Sequence, residues 1–433
     1  MKISYKNILI ESTSLLVLIS PVFFLTVRHW TNLVVLSLFI CCLYLLAVDK
    51  KPNSVLLLSR VWVKLICAMF VAYLAAVVIS QFFRLDFYFP NWDAPLRLVL
   101  CIPIFFAIAN GSLRAFSNKC ISLYWLTLVF PLTLICSLFF RINWSTSWGD
   151  LGLTTYFVDP LSFGSYTLLF SLLTLLGISE YWSKLGFVQR CLCVLGILSG
   201  FYLSLNTGSR TGWFNLPVFL GIWAYFVLKP KLGFKKTIFL MVVIISLLFV
   251  SLFSNGFLLD KFILGWQELS NYKLNQVNVD TSVELRLSFY RMGMTYFLER
   301  PFTGWGDLSW MAQMNRSEIA QFASEYARQL PRHGFHNEII TNSVRSGIYG
   351  FIASITLFYV VLLRAIQGLR RKSNGEHKII SLTLLVFISH LFIAGLTTEI
   401  TNLVFLSSFI GLTLAVLLGE QIYLEENCKH DLN

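Results

Sequence analysis

Three short stretches of this 433-residue chain hold polar residues whose types and spacing suit chemistry. The first is NTGSRTGW (206–213), in which Arg210 is flanked by Gly208 and Gly212. Glycine lets backbone and side chain approach a ligand closely, and the planar fork of arginine binds two phosphate oxygens at once. The second is Arg286, inside TSVELRLSFYRMGMTYFLER (281–300). The third is RHGFHNEIITNSVRSGIYG (332–350), where Gly334 breaks the chain before His336 and Asn337 is placed to cap the following helix. At a helix amino terminus the dipole disfavours a charged imidazole, so a neutral histidine there can take a proton near neutral pH. Each residue also has a plainer reading: Arg210 as an interfacial anchor, Arg286 as a snorkelling or salt-bridging side chain, His336 as an interfacial hydrogen-bonding group. His333 and His336 with Glu338 nearby could ligate a metal, but the spacing lacks the HExxH or Cys partners of a zinc motif.

Such residues need elements to position them, and the composition says which kind. Only 13% of residues are charged while 56% are hydrophobic, against roughly 25% charged in soluble domains. Disorder is excluded, because it needs low hydrophobicity. The net charge of +12 is spread between apolar runs rather than gathered on one polar face, so a nucleic-acid partner is not expected. The chain reads as an all-α, polytopic membrane protein. Runs long enough to cross a bilayer centre on 8–27, 32–48, 61–80, 96–113, 121–140, 161–179, 188–206, 212–228, 237–254, 347–365, 379–397 and 401–419, about twelve spans in all. The weakest are the first, which carries Glu11, and the fourth, which contains Pro103.

Lysines and arginines concentrate in alternate short loops, such as Lys50 and Lys51, Lys235 and Lys236, and Arg370 to Lys372. That places those loops and both termini in the cytoplasm, with the first span a retained signal-anchor. The nine cysteines lie in or near apolar segments or in the tail, which supports neither a disulfide framework nor a CxxC zinc site. The resulting organisation is nine spans with short loops (1–254), a large outer loop (255–346), three spans (347–419) and a cytoplasmic tail (420–433). A loop of that length is a functional region by default. Within it, residues 281–300 read as an amphipathic helix opened by a Thr281–Glu284 capping box, with Val283, Leu287, Tyr290, Met294 and Phe297 as its apolar stripe. Arg286 then sits at the border of the buried and wet faces. Arg210, Arg286 and His336 all fall on the outer face.

These three blocks, GSRTG after a span, LRLSFYRMGMTYFLERPFTGWG, and HGFHNEIITNSVRSGIYG entering the next span, resemble the O-antigen ligase and polymerase superfamily of bacterial inner-membrane glycosyltransferases. The HNEII string looks most like the lipid-A-core:O-antigen ligases. The resemblance implies a metal-independent glycosyltransferase of the C class, without cofactor. It would move glycan from undecaprenyl diphosphate to a sugar hydroxyl of lipid A-core at the periplasmic face. It also implies that Arg210 and Arg286 hold the diphosphate and that His336 deprotonates the acceptor, with an inverted product. Asn337 and His333 are secondary candidates, and Arg97 and Arg141 are possible carrier contacts.

The chemistry of the residues agrees with this. A diphosphate leaves readily, so its departure needs charge stabilisation rather than a general acid. The sequence has no DxD to hold a divalent metal and no GxxxxGK[ST] for ATP. A polysaccharide polymerase would use the same donor site and base with a lipid-linked acceptor, and a protein O-glycosyltransferase is a third option. A lipid-linked oligosaccharide flippase or transporter is the alternative of another class. Such proteins usually carry internal repeats and mid-membrane ionisable residues, for which Glu11 and His390 are the main candidates here.

Overall fold

A computed structural model describes residues 5–430 apart from 49–59, 114–119, 145, 148–152, 155–156, 209–210, 255, 275, 278–279, 308, 331–333 and 372–374. In chain order the main helices are α1 (Tyr5–Ile19), α2 (Trp30–Val48), α3 (Val61–Arg84), α4 (Phe89–Ala109) and α5 (Ile121–Arg141). Then come α6 (Pro160–Tyr181), α7 (Phe187–Asn206), α8 (Thr211–Leu232), α9 (Phe234–Ser254) and α10 (Gly256–Asn271). The chain finishes with α11 (Ser282–Glu299), α12 (Glu338–Arg370), α13 (Gly375–Gly395) and α14 (Val404–His430). Among the described residues, ten of these, α2 to α8 and α12 to α14, are long and apolar enough to cross a bilayer. The protein is an all-α, multi-pass membrane protein.

Besides α9, the expected ninth span, which is not among these ten, three details differ from the sequence reading. The first expected span, 8–27, is helical only as far as Ile19 and continues as turns through His29. Proline at position 21 has no N–H and restrains the residue before it, so the helix stops there. Secondly, helix precedes the tenth span: α12 already starts at Glu338, and a break at Ser346 and Gly347, where the expected span begins, divides its loop part from its apolar part. Thirdly, a two-residue antiparallel pair, Thr146–Ser147 against Leu153–Thr154, interrupts the otherwise helical chain.

Helices α6 and α14 are nearly wholly enclosed by the others, and aromatic rings join them to their neighbours. Phe130 stacks on Phe170 at 4.6 Å between centroids, and Phe24 stacks on Phe409 at 4.0 Å. Between apolar helices in lipid, close backbone approach replaces the hydrophobic drive. Gly200 of α7 provides it, since a Cβ there would collide with Ser171 and Thr167 of α6. One end of the bundle is clipped by acidic residues near the end of α14. Arg364 and Arg371 each reach Glu425 at 2.8 Å, and Arg60 pairs with Glu426. Removing one partner of the buried Arg364–Glu425 pair would strand a charge, so this end is firmly held. The polar segments of interest gather at the other end.

There α12 is broken. Ser346 and Gly347 leave helical geometry, Gly347 at φ 61° and ψ −147°, a region that essentially glycine alone occupies. The carbonyls and the N–H this break frees are taken by the segment 301–306, which includes the TGWG turn. Trp305 N–H donates to Val344 O at 2.8 Å, Gly306 N–H to Arg345 O at 3.0 Å, and Ile348 N–H to Pro301 O at 2.6 Å. Gly304 and Gly347 face this contact from opposite sides. A Cβ on the first would lie 2.5 Å from Arg345 O, and a Cβ on the second 2.6 Å from Pro301 O. Arg84 adds a guanidinium bond to Thr303 O at 2.7 Å. Gly347→Ala should therefore destabilise the protein by about 1–3 kcal/mol, the cost of forcing an L-residue into such a backbone region. A lower thermal midpoint in detergent is the expected readout, and an unchanged midpoint would contradict this account.

Candidate active site

The large loop has its own apolar core, formed where α11 lies against the start of α12. Phe289, Met292 and Tyr296 of α11 pack with Trp305, Trp310, Phe335 and Val344. The buried face of α11 is Ser288, Phe289, Met292, Gly293 and Tyr296, not the expected stripe of Val283, Leu287, Tyr290, Met294 and Phe297, and Met294 is 51% exposed. The stripe was read from large side chains, whereas the real contact is centred on a small one. A Cβ on Gly293 would collide with Ile340, so glycine lets α11 press directly onto α12. The expected capping box is also absent. Thr281 stands at the N-cap position but turns its hydroxyl to the Glu284 carboxylate at 2.6 Å.

Arg286 and Tyr290, one turn apart, lie half-buried on α11, the helix whose Phe289 meets His336. His336 adopts a left-handed backbone, φ 50°, uncommon for a residue other than glycine. Its ring stacks on Phe289 with 5.4 Å between centroids, and its backbone N–H donates to Glu399 Oε1 at 2.6 Å. Asn337 caps α12 as its position in the sequence implies, its Oδ1 accepting from Ile340 N–H at 3.0 Å. The imidazole therefore precedes a helix amino terminus, with two independent contacts fixing its base and its plane.

The element that joins these pieces is the linker 396–402 between α13 and α14. Thr397 Oγ1 donates to Thr211 Oγ1 at 3.2 Å, next in sequence to Arg210. Leu396 O accepts the Tyr290 hydroxyl and, at 3.4 Å, the Asn337 amide. Glu399 Oε1 accepts from His336 N–H and from the Thr341 hydroxyl at 3.0 Å. Burial pushes the Tyr290 phenol above its ordinary pKa, against the opposing pull of the Arg286 guanidinium and the Asn337 hydrogen bond. The phenol thus stays protonated and donating. The linker is itself held by Glu338, which is fully buried and accepts from Ile400 N–H at 2.7 Å, Thr401 N–H at 3.1 Å and Asn342 Nδ2 at 2.9 Å. Glu338 is thereby committed to the linker rather than to a metal with the histidines.

Glu338→Ala should leave the Ile400 and Thr401 N–H groups buried without an acceptor, at about 1–3 kcal/mol for each. The expected result is a marked loss of folded protein from the membrane fraction, with Glu338→Gln, which keeps one acceptor oxygen, losing less. Equal, wild-type yields of both variants would show that Glu338 does not hold the linker.

Arg210 and His333 lie outside the described residues, so for Arg210 the structure fixes only its neighbours. Gly208 precedes it at φ 66°, and Thr211, which follows it, is buried against the linker. Arg286 and Asn337 both act on Tyr290, and His336 stacks on the neighbouring Phe289. Arg97 and Arg141 are held elsewhere: Arg97 pairs with Asp93 at 2.8 Å, while Arg141 bonds the Tyr202 hydroxyl at 3.1 Å and lies over that ring. Glu399 and Phe289 were not singled out from the sequence, Tyr290 only as part of the apolar stripe, and Glu338 only as a possible metal ligand. The available signal was LTTEITN (396–402), a polar run at the end of two apolar segments.

A helix that carries Arg286 and a histidine at a helix amino terminus, with Thr211 fastened to the same linker, suit recognition of an anionic group beside a proton acceptor. Residues 194–355 match a family model described as O-antigen ligase, an interval that includes Arg210, Arg286 and His336. An uncharacterized protein of Haemophilus influenzae is 25% identical over 220 residues, covering 49% of this chain and 51% of that protein. The chain thus spans about half the length of the curated relative it matches. Over residues 194–355 the chain is thus similar to the O-antigen ligase family, whose members are glycosyltransferase-like enzymes.

Proposed function

We propose that the protein is an O-antigen ligase of the bacterial inner membrane. It transfers O-antigen polysaccharide from undecaprenyl diphosphate to a sugar hydroxyl of lipid A-core on the periplasmic side, with both termini in the cytoplasm. The observation that carries this reading is the linker 396–402, which ties Thr211, next in sequence to Arg210, the Arg286 helix and His336 into one assembly.

In the proposed step the acceptor oxygen attacks the anomeric carbon of the donor sugar from the side opposite the diphosphate. Its proton passes to the free imidazole nitrogen of His336, a new glycosidic C–O bond forms, and the bond from the anomeric carbon to phosphate oxygen breaks. Undecaprenyl diphosphate leaves with the electron pair, and the imidazolium then releases its proton to solvent. Back-side attack inverts the anomeric configuration. Arg210 and Arg286 bind the diphosphate and stabilise the charge that grows on it, so the step needs neither a divalent metal nor a cofactor. Tyr290 and Asn337 hold the linker against which the base is set.

A deletion strain scored for lipopolysaccharide tests the reading. Loss of a ligase leaves bare core and accumulates long lipid-linked chains. Core capped by a single repeat unit would instead indicate a polymerase, and lipid-linked chains trapped on the cytoplasmic side would indicate a flippase.

A further inference from the structure

Helix α10 follows α9 after one intervening residue, so it begins where an apolar 21-residue helix ends. Side chains along α9, among them Phe239 (71% exposed), Leu247 and Val250, face outward, as expected of a helix bordered by lipid. On α10, Leu259, Ile263, Trp266 and Leu269 recur three or four residues apart and share one arc. Ile263, Trp266 and Leu269 are exposed, Trp266 by 68%. Asp260, Gln267 and Glu268, with one exposed apolar residue, Leu264, occupy the other arc. From that arc Glu268 accepts the backbone N–H of Val283 at 3.3 Å, in the first turn of the helix that carries Arg286. The polar face of α10 is thus tied to the loop, while its apolar face points away from it.

We propose that α10 is an interfacial helix. Its Leu259–Ile263–Trp266–Leu269 arc lies in the lipid surface bordering α9, and Glu268 passes that depth reference to the Arg286 helix. Continuity with α9 selects lipid as the occupant. Nothing but Asn255 separates the two helices, so the start of α10 cannot leave the membrane surface. A helix with one apolar face and one polar face, carrying Trp on the first, settles with the apolar side roughly 5–10 Å into the headgroup and acyl boundary. This lipid contact does not depend on which glycan acceptor the protein uses. The link to Arg286 rests on the ligase reading and is tested separately.

The test uses the full-length protein in nanodiscs, with an environment-sensitive fluorescent amino acid at position 266 or, on the opposite arc, at position 264. Lipids brominated near the top of the acyl chain should quench most of the emission from position 266 and little from position 264. Lipids brominated near the chain end should quench both weakly. Absence of quenching at 266 would overturn the proposal and indicate water or a protein partner over the apolar arc. Strong quenching at both positions would also overturn it, because the helix would then be immersed rather than interfacial. The double substitution Ile263→Asp and Leu269→Asp, with the probe at 266, should lose the shallow quenching. For the coupling, Glu268→Ala should speed amide exchange over residues 283–290 while leaving the quenching at 266 intact. Unchanged exchange there would remove the link to Arg286 and leave the lipid contact standing.

Discussion

His336→Ala is expected to lower glycan transfer by about 10²–10⁴-fold, the usual contribution of a positioned general base. Donor binding should change little, because the diphosphate is assigned to the arginines. The structure gives reasons to expect the upper part of that range. The backbone of His336 is held in a left-handed conformation by Glu399 and its ring is backed by Phe289, so the base is preorganised. Purified protein in lipid vesicles, supplied with lipid-linked donor and core acceptor, gives the measurement. Wild-type turnover by the alanine variant would remove the base assignment and leave His336 a packing residue.

The second large effect is expected at Arg286. Loss of one preorganised charge-stabilising group costs about 10²–10³ in kcat where charge develops on the leaving group. Charge on the diphosphate increases as the sugar–phosphate bond breaks, so Arg286→Ala should lower kcat by more than it raises KM for the donor. Arg286→Lys is the informative companion. Lysine keeps the positive charge but presents a point donor in place of a planar fork, so it should recover binding better than turnover. A defect in KM alone, fully repaired by lysine, would instead describe simple electrostatic attraction of the donor to the face.

Hydropathy reveals the helical architecture because a membrane span is a local property. Twenty or so consecutive side chains decide it without reference to the rest of the chain. The Asn337 cap is legible for the same reason, since its partner lies three residues away. What holds the site is not local. Glu399 meets His336 across 63 residues, and Leu396 meets Tyr290 across 106. No periodicity encodes such a meeting. The expected spans 379–397 and 401–419 also absorbed both ends of the linker, leaving only 398–400 as a turn. The α11 stripe misled for a related reason. Size and apolarity suggest which residues prefer burial, but a glycine at the contact point decides which way the helix rolls, and hydrophobicity assigns a glycine almost no weight.

The break in α12 has a geometric consequence. It is fastened on both sides, by the TGWG turn and by Arg84, so it behaves as a fixed elbow rather than a hinge. The stub from Glu338 to Ser346 then acts as a spacer between the elbow and the histidine. Its nine residues set a separation of roughly 14 Å along its axis, at 1.5 Å per residue. A spacer of this kind comes only in steps. Adding or deleting one residue would change its length by about 1.5 Å and swing everything beyond it by about 100° around the helix axis, because a turn takes 3.6 residues. Side chains along the stub can vary, but its length cannot drift.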